Sequence, residues 1–118
     1  MIDDSWVFAA YVRDVAEGLD FDVRIARHAA EFRDIYGAFA PHLICLDMVM
    51  PQGGGLGLLN WLCARKSMAR VLIMSGYDSC YTQAAQRLAQ AKGHRQVETL
   101  RKPVDLVALR SALVASAA

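Results

Sequence analysis

The sequence predicts one α/β domain, a doubly wound parallel sheet with helices on both faces, and two patterns carry that prediction. Short apolar runs at Asp22 to Ala26, Leu43 to Asp47, Arg70 to Met74 and Gln96 to Leu100 read as strands, and each is separated from the next by a stretch with helical spacing. Strands joined through helices pair in parallel, with the crossovers covering both faces of the sheet. At 118 residues the chain is of ordinary single-domain length, able to bury roughly two thirds of the surface its unfolded form exposes. Residues 1–118 are therefore expected to form one domain, with no disulfide or structural metal required.

Each helix shows the stripe it buries. The groups are Phe8, Val12, Val15 and Leu19; Ala29, Phe32, Ile35/Tyr36 and Phe39; Leu58/Leu59 and Leu62; Ala84/Ala85, Leu88 and Ala91; and Leu106, Leu109 and Leu113. All follow i, i+3/i+4, i+7 spacing, which reads as core. Asp105 directly precedes the last stripe and suits an N-cap, with Pro103 just upstream. The beginning of the chain is unusual. A central first strand should lead into Asp3-Asp4, but only Met1-Ile2 precede that pair, where about five or six residues are usual. Either the start lies upstream or the first strand is a stub, which costs roughly 1 to 3 kcal/mol for each buried backbone group left unpaired.

Composition excludes several function classes. Hydrophobic residues are 55% and charged residues 21% of the chain, at a formal charge of +1, so nothing favours nucleic acid or an anionic membrane as partner. The apolar runs are too short to span a bilayer and no cleavable signal pattern opens the chain, so a cytoplasmic protein is expected. Cys45, Cys63 and Cys80 are odd in number and lack metal-ligand spacing, which points to reduced, buried thiols. His28, His42 and His94 stand singly. Gly53-Gly54-Gly55-Leu56-Gly57 fails the GxGxxG pattern at Asn60 and no GK[ST] follows, so it reads as a loop rather than a nucleotide cradle.

The chemistry lies at the strand ends. Asp47 closes one strand signal, Asp3-Asp4 follows the stub, Ser75-Gly76 closes the third run, and Lys102-Pro103 follows the last. Reactive groups of open α/β sheets gather at that edge. Two carboxylates about 4 Å apart repel by about 4 kcal/mol at an effective dielectric near 20, so three converging acids call for a cation. Magnesium suits them, since it takes hard oxygen ligands and keeps several waters. With charge neutralised, one carboxylate can attack phosphorus to give an acyl phosphate, while a lysine and a hydroxyl hold the phosphoryl oxygens.

This ordered set resembles the receiver domain of two-component response regulators, over essentially the whole chain. The motifs are Asp3-Asp4, Asp47 with Met50-Pro51, Ser75-Gly76 and Lys102-Pro103. The resemblance implies a flavodoxin-like fold: a five-stranded parallel sheet of order 2-1-3-4-5 with five helices, here with the first strand shortened. It implies that Asp47 is the phosphoacceptor and that Mg2+ is bound by Asp4 and Asp47 directly, by Asp3 through water, and by the backbone carbonyl of Val49. Ser75 would follow the phosphoryl group and Lys102 would bridge it to the acids. The partners implied are a sensor histidine kinase or histidine phosphotransfer protein, a downstream effector protein or domain, and a second copy in a homodimer, with no direct nucleic acid and no membrane. Such a domain is not an enzyme beyond its own phosphorylation and slow dephosphorylation.

The sequence departs from the family pattern at three places. Thr99 stands three residues before the lysine, where receivers often carry an aromatic; Tyr77 and Tyr81 offer bulk nearby. The stretch from Ser75 to Lys102 is long, with Ala84 to Gly93 lengthening the fourth helix. Val49 and Tyr77 flank the path of attacking water, and an apolar and a bulky residue there predict slow autodephosphorylation. Two other functions remain open. An aspartate-nucleophile phosphatase would need a second acid two residues after Asp47, where Val49 stands. A degenerate receiver would serve as a phosphorylation-independent interaction module.

Overall fold

A computed structural model describes residues 1–3, 5–47, 54–75, 79–93 and 96–117. Its elements follow in the order α1 (Trp6–Gly18), α2 (Ala29–Phe39), β1 (Leu43–Asp47), α3 (Gly54–Ala64), β2 (Arg70–Ser75), α4 (Ser79–Ala91), β3 (Val97–Arg101) and α5 (Leu106–Ala117). Local sequence explains where helices begin. Ser5 Oγ accepts from Phe8 N at 3.4 Å to cap α1, and His28 Nδ1 accepts from Glu31 N at 3.3 Å to cap α2. Glu31 Oε1 in turn accepts from Arg27 N at 3.1 Å, so two N–H groups at the start of α2 are satisfied reciprocally. Asp105 Oδ1 accepts from Val107 N at 3.1 Å, which makes it the cap of α5. The chain leaves α2 through Ala40 in the left-handed region, φ 50°.

The three strands pair in parallel in the order β1-β2-β3, with Leu46 opposite Ile73 and Ile73 opposite Thr99. Alternation along them divides the core in two. Ile44, Leu46, Val71 and Ile73 pack with Phe32 of α2, Leu58, Leu59 and Leu62 of α3 and Ala85 of α4. Cys45, Leu72 and Met74 face the other way, against Val12 and Ala16 of α1 and Leu109, Ala112 and Leu113 of α5. β1 and β2 are buried on both sides, which is why they read as unbroken apolar runs in the sequence.

One expected strand is absent. Residues 22–26 form no strand; Ala26 alone makes a parallel bridge to Ile2, which also bridges Leu46 on its other side. The described residues thus hold a three-stranded sheet rather than five strands. The pairing at this side of the sheet is brief. Ladder hydrogen bonds run only from Met1 to Asp3: Ala26 N to Met1 O at 2.9 Å, Asp3 N to Ala26 O at 3.2 Å, Ile2 N to Cys45 O at 2.8 Å and Asp47 N to Ile2 O at 3.0 Å. So brief a contact yields bridges and no continuous strand. Where it stops, a largely apolar cavity of about 70 Å³ opens, lined among others by Met1, Phe21, Val23, Phe39, Leu43 and Leu113.

Candidate functional site

Parallel register decides which strand ends meet. Ile2 pairs with Leu46, so Asp3 and Asp47 emerge side by side at the same edge. Asp47 is opposite Met74, Met74 is opposite Leu100, and Ser75 is opposite Arg101. Lys102 therefore leaves the sheet two residues beyond the level of Asp47, and its long stem reaches back across the edge. Its Nζ lies 2.9 Å from Asp3 Oδ2 and 3.4 Å from Asp47 Oδ1.

Burial makes this arrangement demanding. Asp3 is 0% and Asp47 4% exposed, and a buried carboxylate without a partner is far more costly than a solvated one. Asp3 is held at both oxygens, since Oδ1 accepts from Ser5 N at 2.8 Å while Oδ2 takes the Lys102 ammonium. The hydrogen bond from Ser5 also fixes the turn into α1. Two carboxylates share one ammonium, so these three side chains carry a formal charge of −1 in a site shielded from water. Hard oxygen donors with excess negative charge fit a small divalent cation. Among the described residues no group of three His, Cys, Asp or Glu is placed to hold a metal; Asp4 and Val49, expected to complete the set, lie outside the described residues.

The structure thus brings together Asp3, Asp47 and Lys102. Ser75 ends β2 at the same edge, but its side chain, like residues 76–78 with Tyr77, falls outside the description. Thr99 sits in β3 opposite Ile73, half-buried.

One neighbour, Phe8, was read from sequence only as core, while Trp6 stood out by its place just after the acidic pair. The Phe8 ring lies under the lysine, 4.5 Å from Nζ to the ring centroid. At helical spacing an aromatic reads as core, and nothing in the pattern marked it as a neighbour of a cation 94 residues later. Trp6, half-exposed at the start of α1, is flanked by Arg27 at 4.6 Å and Arg13 at 5.8 Å from its ring centroid. Away from this edge, burial pushes the thiols of Cys45 and Cys63 above their ordinary range. Buried thiols of that kind are poor nucleophiles.

Comparison with known proteins agrees with this geometry. Residues 1–114 match the family profile described as "Response regulator receiver domain". The chain is 33% identical over 124 aligned residues, 97% of its length, to protein-glutamate methylesterase/protein-glutamine glutaminase 2 of Rhodopseudomonas palustris, and covers 32% of that protein. It is 36% identical over 84% of its length to response regulator protein PilR of Pseudomonas aeruginosa and covers 21% of it. The chain therefore spans about a third or less of these two relatives. Among solved structures, it resembles a response regulator protein from Burkholderia pseudomallei with a phosphorylated aspartic acid, calcium ion and citrate. That match has a TM-score of 0.77 and 30% identity, covering 95% of this chain and 63% of the other.

Proposed function

The chain belongs to the response regulator receiver domain family, and from that premise we propose that it accepts a phosphoryl group on Asp47 and acts as a phosphorylation switch in two-component signalling. The observation that carries this reading is the Lys102 ammonium set between the buried carboxylates of Asp3 and Asp47 at the C-terminal edge of the sheet. A carboxylate oxygen of Asp47 attacks phosphorus, the bond from phosphorus to the donor breaks, and the electron pair leaves with the donor, as neutral imidazole from a phosphohistidine protonated on its other nitrogen or as a carboxylate from an acyl phosphate. Donors of the right chemistry are a phosphohistidine on a histidine kinase or phosphotransfer protein and small acyl phosphates. Lys102, already at the edge, pairs with a phosphoryl oxygen and limits repulsion between the incoming group and Asp3. The Ser75 hydroxyl supplies a further hydrogen bond to that group.

The donor chemistry of the site fits Mg2+, which Asp4, Asp47 and the Val49 carbonyl would hold, with Asp3 contributing through water. When bound, the ion neutralises charge on the phosphoryl oxygens. The solved relative from Burkholderia pseudomallei carries a phosphorylated aspartic acid and a calcium ion, which supports the same pairing of acyl phosphate and divalent cation here. The two bridges of Ile2, to Ala26 and to Leu46, support reading the sheet as five segments in the order 2-1-3-4-5, with the first two in chain order reduced to bridges. No helix among the described residues is long and apolar enough to cross a membrane, in keeping with a cytoplasmic switch that passes its state to an effector protein or domain by contact.

Acetyl phosphate with magnesium, followed by intact-mass measurement, tests the reading. One phosphoryl adduct on the wild type and none on Asp47→Ala is the expected result. A wild-type chain that takes no adduct from acetyl phosphate or from a phosphorylated phosphotransfer protein is an interaction module instead. Sustained release of p-nitrophenol from p-nitrophenyl phosphate would make it a phosphatase.

A further inference from the structure

Lys102 touches a third group that phosphoryl acceptance has so far not used. Besides its contacts at 2.9 Å with Asp3 and 3.4 Å with Asp47, its Nζ lies 4.5 Å from the centroid of the Phe8 ring. We propose that Phe8 is a positioning residue for phosphoryl acceptance, its ring face holding the Lys102 ammonium between Asp3 and Asp47. This role rests on the reading of Asp47 as acceptor and Lys102 as the cation that meets the phosphoryl group.

An ammonium carries three N–H donors on a flexible four-carbon stem. Two of its directions are taken by carboxylates, and the third could turn to water and draw the head out of the site. The face of an aromatic ring carries negative charge density that attracts a cation, and it excludes water from the side it covers. An aliphatic side chain at the same place fills space without attraction. Consistent with this, the Lys102 side chain is only 24% exposed although it lies at the sheet edge.

Phe8 is not placed there by core packing alone. Asp3 Oδ1 accepts from Ser5 N at 2.8 Å, Ser5 Oγ accepts from Phe8 N at 3.4 Å, the Phe8 ring meets Lys102, and Lys102 returns to Asp3 Oδ2. The four residues form a closed circuit, so the ring is keyed to the carboxylate whose partner it holds. Tyr11 backs the ring, with centroids 6.2 Å apart, and both pack on the α1–α5 side of the core. A ring face also offers no single acceptor point. The ammonium can slide across it from the Asp47 carboxylate towards an arriving phosphoryl oxygen without first being rehydrated.

The test compares Phe8→Leu, which keeps an apolar side chain, with Phe8→Tyr, which keeps the ring. The NMR shifts of the Lys102 ε-CH2 protons report the contact without any phosphoryl transfer: a ring-current upfield displacement in wild type and Phe8→Tyr, and its loss in Phe8→Leu. Single-turnover phosphorylation by acetyl phosphate with magnesium then reports the role. The maximal rate should fall by about threefold to tenfold in Phe8→Leu, the size expected for a partly shielded cation–ring contact. The acetyl phosphate concentration giving half that rate should not change, and Phe8→Tyr should restore the wild-type rate. A Phe8→Leu protein that keeps the wild-type rate overturns the role, as does a Phe8→Tyr protein as slow as Phe8→Leu. If the wild type takes no adduct while the Lys102 shift is present, the acceptor reading fails and the contact stands as structural only.

Discussion

Lys102 Nζ lies 2.9 Å from Asp3 Oδ2 across 99 residues of sequence, so one ammonium holds the first and last strand ends together at a fully buried carboxylate. Replacing Lys102 by Met leaves Asp3 and Asp47 buried without that cation. Breaking a buried pair costs about 3 to 5 kcal/mol, and the partial exposure of the lysine reduces the expected loss to about 1 to 3 kcal/mol. Asp3→Asn added to Lys102→Met removes one uncompensated charge, so the double variant should unfold at higher urea than Lys102→Met alone. Magnesium should raise the midpoint of Lys102→Met more than that of wild type, because the site then carries one more uncancelled negative charge. Equal magnesium effects on both proteins would contradict this account of the site's charge.

The Met1 amino group has its own signature. It donates to Arg24 O at 3.1 Å, and burial pushes it below its ordinary value of 8.0, with the field of Cys45 opposing in part. A base whose folded value is depressed favours the unfolded state as it protonates. Stability of the 118-residue chain should therefore fall as pH drops below 8.0 towards the folded value. A chain carrying a few added apolar residues before Met1 moves the amine away from its buried place beside Arg24 O and offers further backbone for pairing. It should melt higher by several degrees, about 4 to 8 °C for each kcal/mol gained, and lose this pH dependence. An unchanged melting temperature would show that burying the amine costs nothing.

Above that range the cysteines act in the opposite direction. Cys45 and Cys63 are buried, and burial raises both thiols above 9.0, slightly offset by the amino terminus at Cys45 and by Lys92 at Cys63. The folded state keeps protons that the unfolded chain loses, so their contribution to stability is full below pH 9.0 and is lost as pH rises through the folded values. At neutral pH, iodoacetamide should leave both residues unmodified in the native protein and alkylate them in guanidinium, as read by peptide mass mapping. Rapid native labelling of Cys45 would mean that the α1–α5 side of the sheet opens easily.

Much of this was legible in the sequence, for a physical reason. β1 and β2 are buried on both faces, so every residue from Ile44 to Leu46 and from Val71 to Met74 must be apolar, and a polar group at their ends stands out. That made Asp47 and Ser75 visible, and Lys102 followed from the next strand. The segment 22–26 shows its alternation in sequence but pairs only through the bridge of Ala26 to Ile2, and sequence alternation does not say how far pairing extends. The contact between Phe8 and Lys102 was not legible at all. Helical spacing says which face of α1 is buried, and only the register of β3 against β2 says which residue arrives above it.

The pair Ile73 and Thr99 separates what the sheet requires from what its margin tolerates. They are direct partners across β2 and β3, but Ile73 is fully buried in the central strand and Thr99 is half-buried in the last one. Thr99→Tyr places an aromatic three residues before Lys102, at an outer strand where aromatic residues are favoured and strand propensities span only about 1 kcal/mol. Its denaturation midpoint should stay within about 0.5 kcal/mol of wild type. Ile73→Thr buries a hydroxyl and removes apolar contact with α3 and α4, and should cost about 2 to 3 kcal/mol. The comparison is made by urea titration of both single variants. A Thr99→Tyr protein destabilised as much as Ile73→Thr would mean that β3 is packed as tightly as the central strand, and that Thr99 is fixed by space rather than free to vary.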